Sequence, residues 1–148
     1  MVKQIIIFIL ASYGCVLRNS YGIVVAATYG RLQEHLNATV AKALSIREAL
    51  SWLKSLDSSH IIVESDALLV IEALNNSSES DSSRLGLIVH DCKILAGDFS
   101  SCQFVFVYRS MNQAAHALAR EAVFMSGLVG RATPSRTFIS CVILQDLI

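Results

Sequence analysis

The sequence has no net charge: 12 lysines and arginines balance 12 aspartates and glutamates over 148 residues. A dedicated phosphate binder is usually basic, so the balance argues against that class and leaves room only for a local basic patch. Proline is nearly missing, and the single one, Pro134, lies in the glycine-bearing stretch "GLVGRATPSRT". The four cysteines, Cys15, Cys92, Cys102 and Cys141, form no C-x-x-C pair and no metal-ligand spacing. They read as buried thiols in a reducing compartment, which places the protein inside the cell, in cytoplasm or nucleus. Aspartate is missing from the whole N-terminal third. The first is Asp57, and only Glu34 and Glu48 precede it as acids. No internal repeat is present, and no apolar run approaches the length of a membrane span.

What is present is enough apolar residue, 53%, for one well-filled domain. The N-terminal "MVKQIIIFILAS" has two readings. A lysine before an apolar run resembles a secretory leader, but the run is at the short limit and no A-x-A site follows closely. A continuous β-branched run is also what a strand buried on both faces looks like, and this is the reading preferred here. Strands near 14–18 and 23–28 flank the turn residues Asn19-Ser20-Tyr21-Gly22 and predict a hairpin. Val40, Ala43, Leu44, Leu50 and Leu53 recur at helical spacing and predict a helix over 38–55. "HIIVES" predicts a strand, "DALLVIEAL" a helix, and "NNSSESDSS" (75–83) a polar loop. "RLGLIVHDCKILAG" is a helix with Leu85, Ile88, Val89, Cys92 and Leu95 as its apolar stripe. "CQFVFVYR" is a strand, and "MNQAAHALAREA" opens a last helix that ends near Ser126. "FISCVILQDLI" is an apolar tail expected to dock on the body. Strands alternating with helices after a meander predict a mixed sheet covered by helices.

The ordered set "GCVLRNSYGIVVAA", "AKALSIREAL", "VESDALLVIEAL" and "YRSMNQAAHALAREA" resembles ribonuclease H (RNase H type-1) domains. The resemblance is nearest to plant ribonuclease H-like domains related to those of retrotransposon reverse transcriptases, and it covers about residues 13–148. It implies an α/β ribonuclease H-like fold with a mixed five-stranded sheet flanked by helices. It implies one domain over 1–126, with 1–12 an atypical or truncated first strand, and a linker and apolar tail over 127–148. The family's first strand is central, so residues 4–10 are expected to pair beside both the 14–18 and the 60–64 strands.

The family's reaction, hydrolysis of RNA in RNA–DNA hybrids, uses two Mg2+ or Mn2+ ions held by four carboxylates. Asp66, in "ESD", matches one of them; its plainer role is an N-cap for the helix that follows. Lys42, in "AKAL", stands where a second belongs, and its plainer role is a solvated lysine. Glu48 cannot replace it, since six residues at ~100° each leave it about 120° around the helix. His116, in "AAHALA", stands at the place of a third. Its imidazole suits Mn or Zn better than Mg, and its plainer role is a boundary histidine on the last helix. The strand-one aspartate has no counterpart. Arg109 and Asn112 match the family's R-x-x-N and are the candidate nucleic-acid contacts; their plainer roles are a strand-end ion pair and a helix N-cap. Trp52 reads as core.

One of four ligands thus survives, with Asp66 the sole candidate for any metal. The expectation is a nucleic-acid-binding domain of retroelement descent with a degenerate active site. Hybrid cleavage would be lost or impaired, Mg2+ or Mn2+ bound weakly or not at all, and RNA–DNA hybrid or other nucleic acid held weakly, with no membrane partner. Two alternatives stay open: an active hybrid ribonuclease with ligands elsewhere, and an interaction module that uses the fold without nucleic acid.

Overall fold

A computed structural model describes residues 11–21, 24–31, 37–57, 59–77, 81–109 and 139–147. The first two strands, β1 (Ala11–Asn19) and β2 (Val24–Arg31), form an antiparallel hairpin with a bulge between Leu17 and Arg18. At the turn the Asn19 side chain accepts a hydrogen bond from the Tyr21 amide at 3.0 Å. That is the local Asx-turn bond that makes asparagine a turn residue.

Helix α1 (Ala38–Ser55) starts where Asn37 Oδ1 accepts from the Val40 amide at 2.8 Å. Its apolar stripe buries Ala43, Ile46, Ala49, Leu50 and Leu53 completely. The chain leaves α1 through Asp57, a non-glycine residue at φ 55°, and enters β3 (His60–Ser65). Alternation along β3 puts Ile61 and Val63 into the core under α1. Helices α2 (Leu68–Asn75) and α3 (Arg84–Ala96) follow, then β4 (Ser101–Phe106) and β5 (Ile139–Leu147). Ile88, Val89 and Cys92 are the fully buried part of the α3 stripe, and Leu85, Leu95 and Trp52 pack half-buried against the same core. No helix among the described residues is long and apolar enough to cross a membrane.

The five strands form one mixed sheet in the order β2-β1-β5-β3-β4. β5 is antiparallel to β1 and parallel to β3, with Cys15 and Ser65 both opposite Ile143. This corrects two expectations. The place between β1 and β3, assigned above to residues 4–10, belongs to Ile139–Leu147, while residues 4–10 themselves lie outside the described residues. The C-terminal run, expected to dock on the body, supplies the middle strand of the sheet over Ile139–Leu147. Ala11 and Ser12, assigned to a truncated first strand, open β1 instead.

The start of α3 depends on one glycine. Ser83 Oγ accepts from the Gly86 amide at 3.1 Å, and Asp81 Oδ1 accepts from the Ser83 amide at 2.9 Å. A Cβ at Gly86 would collide with the backbone carbonyl of Asp81. Gly86→Ala should therefore lose the cap despite alanine's better helix propensity, at a cost of about 1–2 kcal/mol readable in urea unfolding. Unchanged or raised stability would show that the Asp81 loop yields freely.

Cys15 and Cys92 are buried free thiols, as read from the sequence, but Cys102 is only half-buried. The side chain of Cys141 lies outside those described. The Cys92 thiol donates to the Ala43 carbonyl at 3.8 Å, and burial pushes its pKa up to about 12. The unfolded chain gives up that proton at lower pH. The contribution to stability is therefore complete below about pH 9 and lost as pH rises toward 12. Between pH 8.5 and 10.5 the wild type should lose about 2 kcal/mol more than Cys92→Ala in urea titrations. Parallel losses would mean that the thiol is not the titrating group.

Candidate functional site

The C-terminal end of β3 is where the sheet delivers its chemistry. Asp66 follows the last residue of β3 directly. Its side chain is only 12% exposed, so its charge needs a partner. That partner is Lys42 in the second turn of α1, with Nζ 3.7 Å from Asp66 Oδ1 and its side chain 29% exposed. The helix cap at Asn37 fixes where α1 begins, and the buried Ala41 and Ala43 press the helix onto the sheet beside Lys42. Lys42 is therefore neither a fully solvated lysine nor a chance surface neighbour.

The alternative role for Asp66 is not realised. The N-cap of α2 is Ala67, with no side-chain capping bond. The nearby amide of Ala67 is taken by Ser65 Oγ at 3.2 Å instead. Asp66 is thus not used to start its helix.

Elsewhere in the structure, Tyr13 of β1 is half-buried. Burial, and then the Glu48 carboxylate, hold its phenol above the ordinary value. Glu48 pairs with Arg47 at 3.6 Å, in keeping with its place away from the Lys42 side of α1. The Val107 amide donates to the Ser65 carbonyl at 3.0 Å, which leads the chain past the end of β3 to the exposed Arg109. Arg109 and Asp66 therefore lie at the same end of the sheet. Asn112 and His116 fall outside the described residues.

Lys42 and Asp66 by themselves do not fit a pair of divalent ions. Hard cations need several oxygen ligands. Among the described residues, no three of His, Cys, Asp and Glu group to hold a metal. A lysine ammonium beside the sole carboxylate opposes a cation by roughly 4 kcal/mol per unit charge at 4 Å and an effective dielectric of 20.

One feature escaped the sequence reading because β5 passed for a tail. The strand in the central place carries Asp146, opposite Ser12 of β1 and three residues beyond Ile143, the partner of Ser65. Its β-rich composition was the available signal.

The fold is ribonuclease H-like. Two solved structures share it. The N-terminal RNase H domain of a Mycobacterium tuberculosis protein, solved as a fusion with maltose-binding protein, superposes with TM-score 0.66 at 23% identity, covering 78% of this chain and 83% of that one. RNase H1 from the halophilic archaeon Halobacterium salinarum superposes with TM-score 0.67 at 24% identity, covering 78% and 86%. No curated protein sequence matches the chain. Residues 9–122 match the family described as reverse transcriptase-like, and the chain belongs to that family.

Proposed function

We propose that this chain is a nucleic-acid-binding ribonuclease H-like domain that does not carry out metal-dependent hydrolysis. The observation that carries the reading is the 3.7 Å pair between Lys42 and Asp66, a cation where divalent-ion chemistry needs ligands. The ligand class is RNA–DNA hybrid or a related nucleic acid, contacted through phosphates near Arg109 and Asn112. Descent from a retroelement, and kinship with plant members, rest on "RSMNQAAHALA". An intracellular location rests on the free thiols. The test is cleavage of a labelled RNA–DNA hybrid in Mg2+ and in Mn2+. No turnover is expected from the wild type. Turnover abolished by Asp66→Asn would overturn the reading.

Binding should be weak and salt-sensitive. Arg18, Arg47 and Lys54 pair with Glu64, Asp91 and Asp98, and Lys93 donates to the Asn76 carbonyl. A phosphate must compete with these partners. Few counterions are then released, so log K against log[salt] should fall with a slope no steeper than about −3. A steeper slope would reveal a basic surface among the other residues. No hybrid binding even at low salt would favour the pure interaction module.

One observation supports a second reading, an active ribonuclease. Asp146 lies on the central strand, near the level of the end of β3. If it is a ligand, wild-type cleavage exists and Asp146→Asn abolishes it together with Asp66→Asn.

A further inference from the structure

The two halves of the sheet meet only through β5. The β1–β2 hairpin lies on one side of it and the β3–β4 pair on the other, and β1 bonds to no strand but β2 and β5. Strands are about 4.8 Å apart, so β1 and β3, with β5 between them, lie about 9–10 Å apart. Yet Arg18 of β1 and Glu64 of β3 are joined: Nη2 donates to Oε2 at 3.2 Å. The register explains the path. Arg18 is opposite Ser140 of β5, and Glu64 is opposite Val142. The ion pair therefore runs diagonally over the backbone of β5. Ile61 and Val63, which alternate with Glu64 along β3, point into the helix-covered core, so the pair lies on the other face. Its side chains are 32% and 24% exposed, which shields the pair from full solvent screening.

We infer that Arg18 and Glu64 form a clasp that retains the C-terminal strand in the sheet. β5 can leave as a unit, because 32 residues, 107–138, separate it from β4. Its departure breaks both flanking ladders, whereas the β1–β2 and β3–β4 ladders can survive. The clasp is the described side-chain link that bridges the gap directly, so it opposes this particular opening. Other surface ion pairs of the molecule, such as Lys54–Asp98, oppose only global unfolding.

The opening has a signature that ordinary destabilisation lacks. Successive amides of a strand point to opposite neighbours. When β5 leaves, the β1 amides facing β5 are exposed, while those facing β2 stay bonded. β3 behaves alike toward β5 and β4. The experiment is residue-resolved amide hydrogen exchange by NMR on the full chain, comparing wild type, Arg18→Gln, Glu64→Gln and the double reversal Arg18→Glu with Glu64→Arg. Each single variant should speed exchange about two- to fivefold in β5 and in the β5-facing amides of β1 and β3, the range that a half-exposed pair sustains. The amides shared by β1 with β2 and by β3 with β4 should not move. The double reversal should restore most of the protection. Uniform acceleration of all strands would reduce the pair to a general stabiliser and overturn the clasp. Unchanged exchange in β5, or acceleration that the double reversal does not mend, would overturn it equally.

Discussion

Val142→Pro should drive β5 out of the sheet and cost the protein much of its stability. Val142 sits in the middle of β5, opposite Val16 on one side and Glu64 on the other, so its amide belongs to one of two ladders. Proline removes that donor and is excluded sterically from central strands. The direct loss is about 3 kcal/mol or more. Separation of β1 from β3 adds to it, against a total stability of about 5–15 kcal/mol for a domain. Leu69→Ala, at an exposed position of α2, is the control and should leave the transition within about 1 kcal/mol of wild type. Far-UV circular dichroism during urea titration separates the two. Val142→Pro tolerated as well as the control would take residues 139–147 out of the middle of the sheet.

Lys42→Glu should make the protein metal-responsive. Without metal it sets two carboxylates together where Asp66 is already nearly buried. Loss of the partner should cost about 1–3 kcal/mol, lowering Tm by about 3–10 °C for a chain of this size. Mn2+ should recover part of that loss, since a ligand that binds only the folded state stabilises it by mass action. The wild type, with its ammonium in place, should show no Mn2+ shift. Adding His116→Asp should strengthen the metal response. Hybrid cleavage should still be absent if Asp146 of the central strand is not a ligand. Cleavage by this double variant would instead mark Asp146 as a working ligand. Equal Mn2+ shifts in wild type and variants would show that Lys42 does not guard the site.

Local signals in the sequence were legible because they are local. Asn37 and Ser83 cap as their residue types suggest, and the α1 and α3 stripes bury as their spacing requires. The pairing of Lys42 with Asp66 was also accessible, since the position of each in its own motif brings the helix and the strand end together. The occupant of the central place was not. Two runs of similar character, "IIIFIL" and "ISCVIL", compete for one slot, and neither periodicity nor composition ranks them. The difference lies in connection. Residues 139–147 arrive after a long link and meet both β1 and β3 in register. The Asp66 cap fails for a different reason: its carboxylate faces Lys42 of α1 instead of the start of α2.

The placement of β5 also sets the order in which this protein can be made. A ribosome releases the middle of the sheet last. Until residue 147 emerges, the β1–β2 hairpin and the β3–β4 unit have no strand between them, and two bare edges stay open to other chains. Folding must then wait for the longest-range pairing in the molecule, Ala11 with Leu147. Loss of residues 139–147 would therefore be as damaging as loss of a helix, because it leaves both inner edges unpaired.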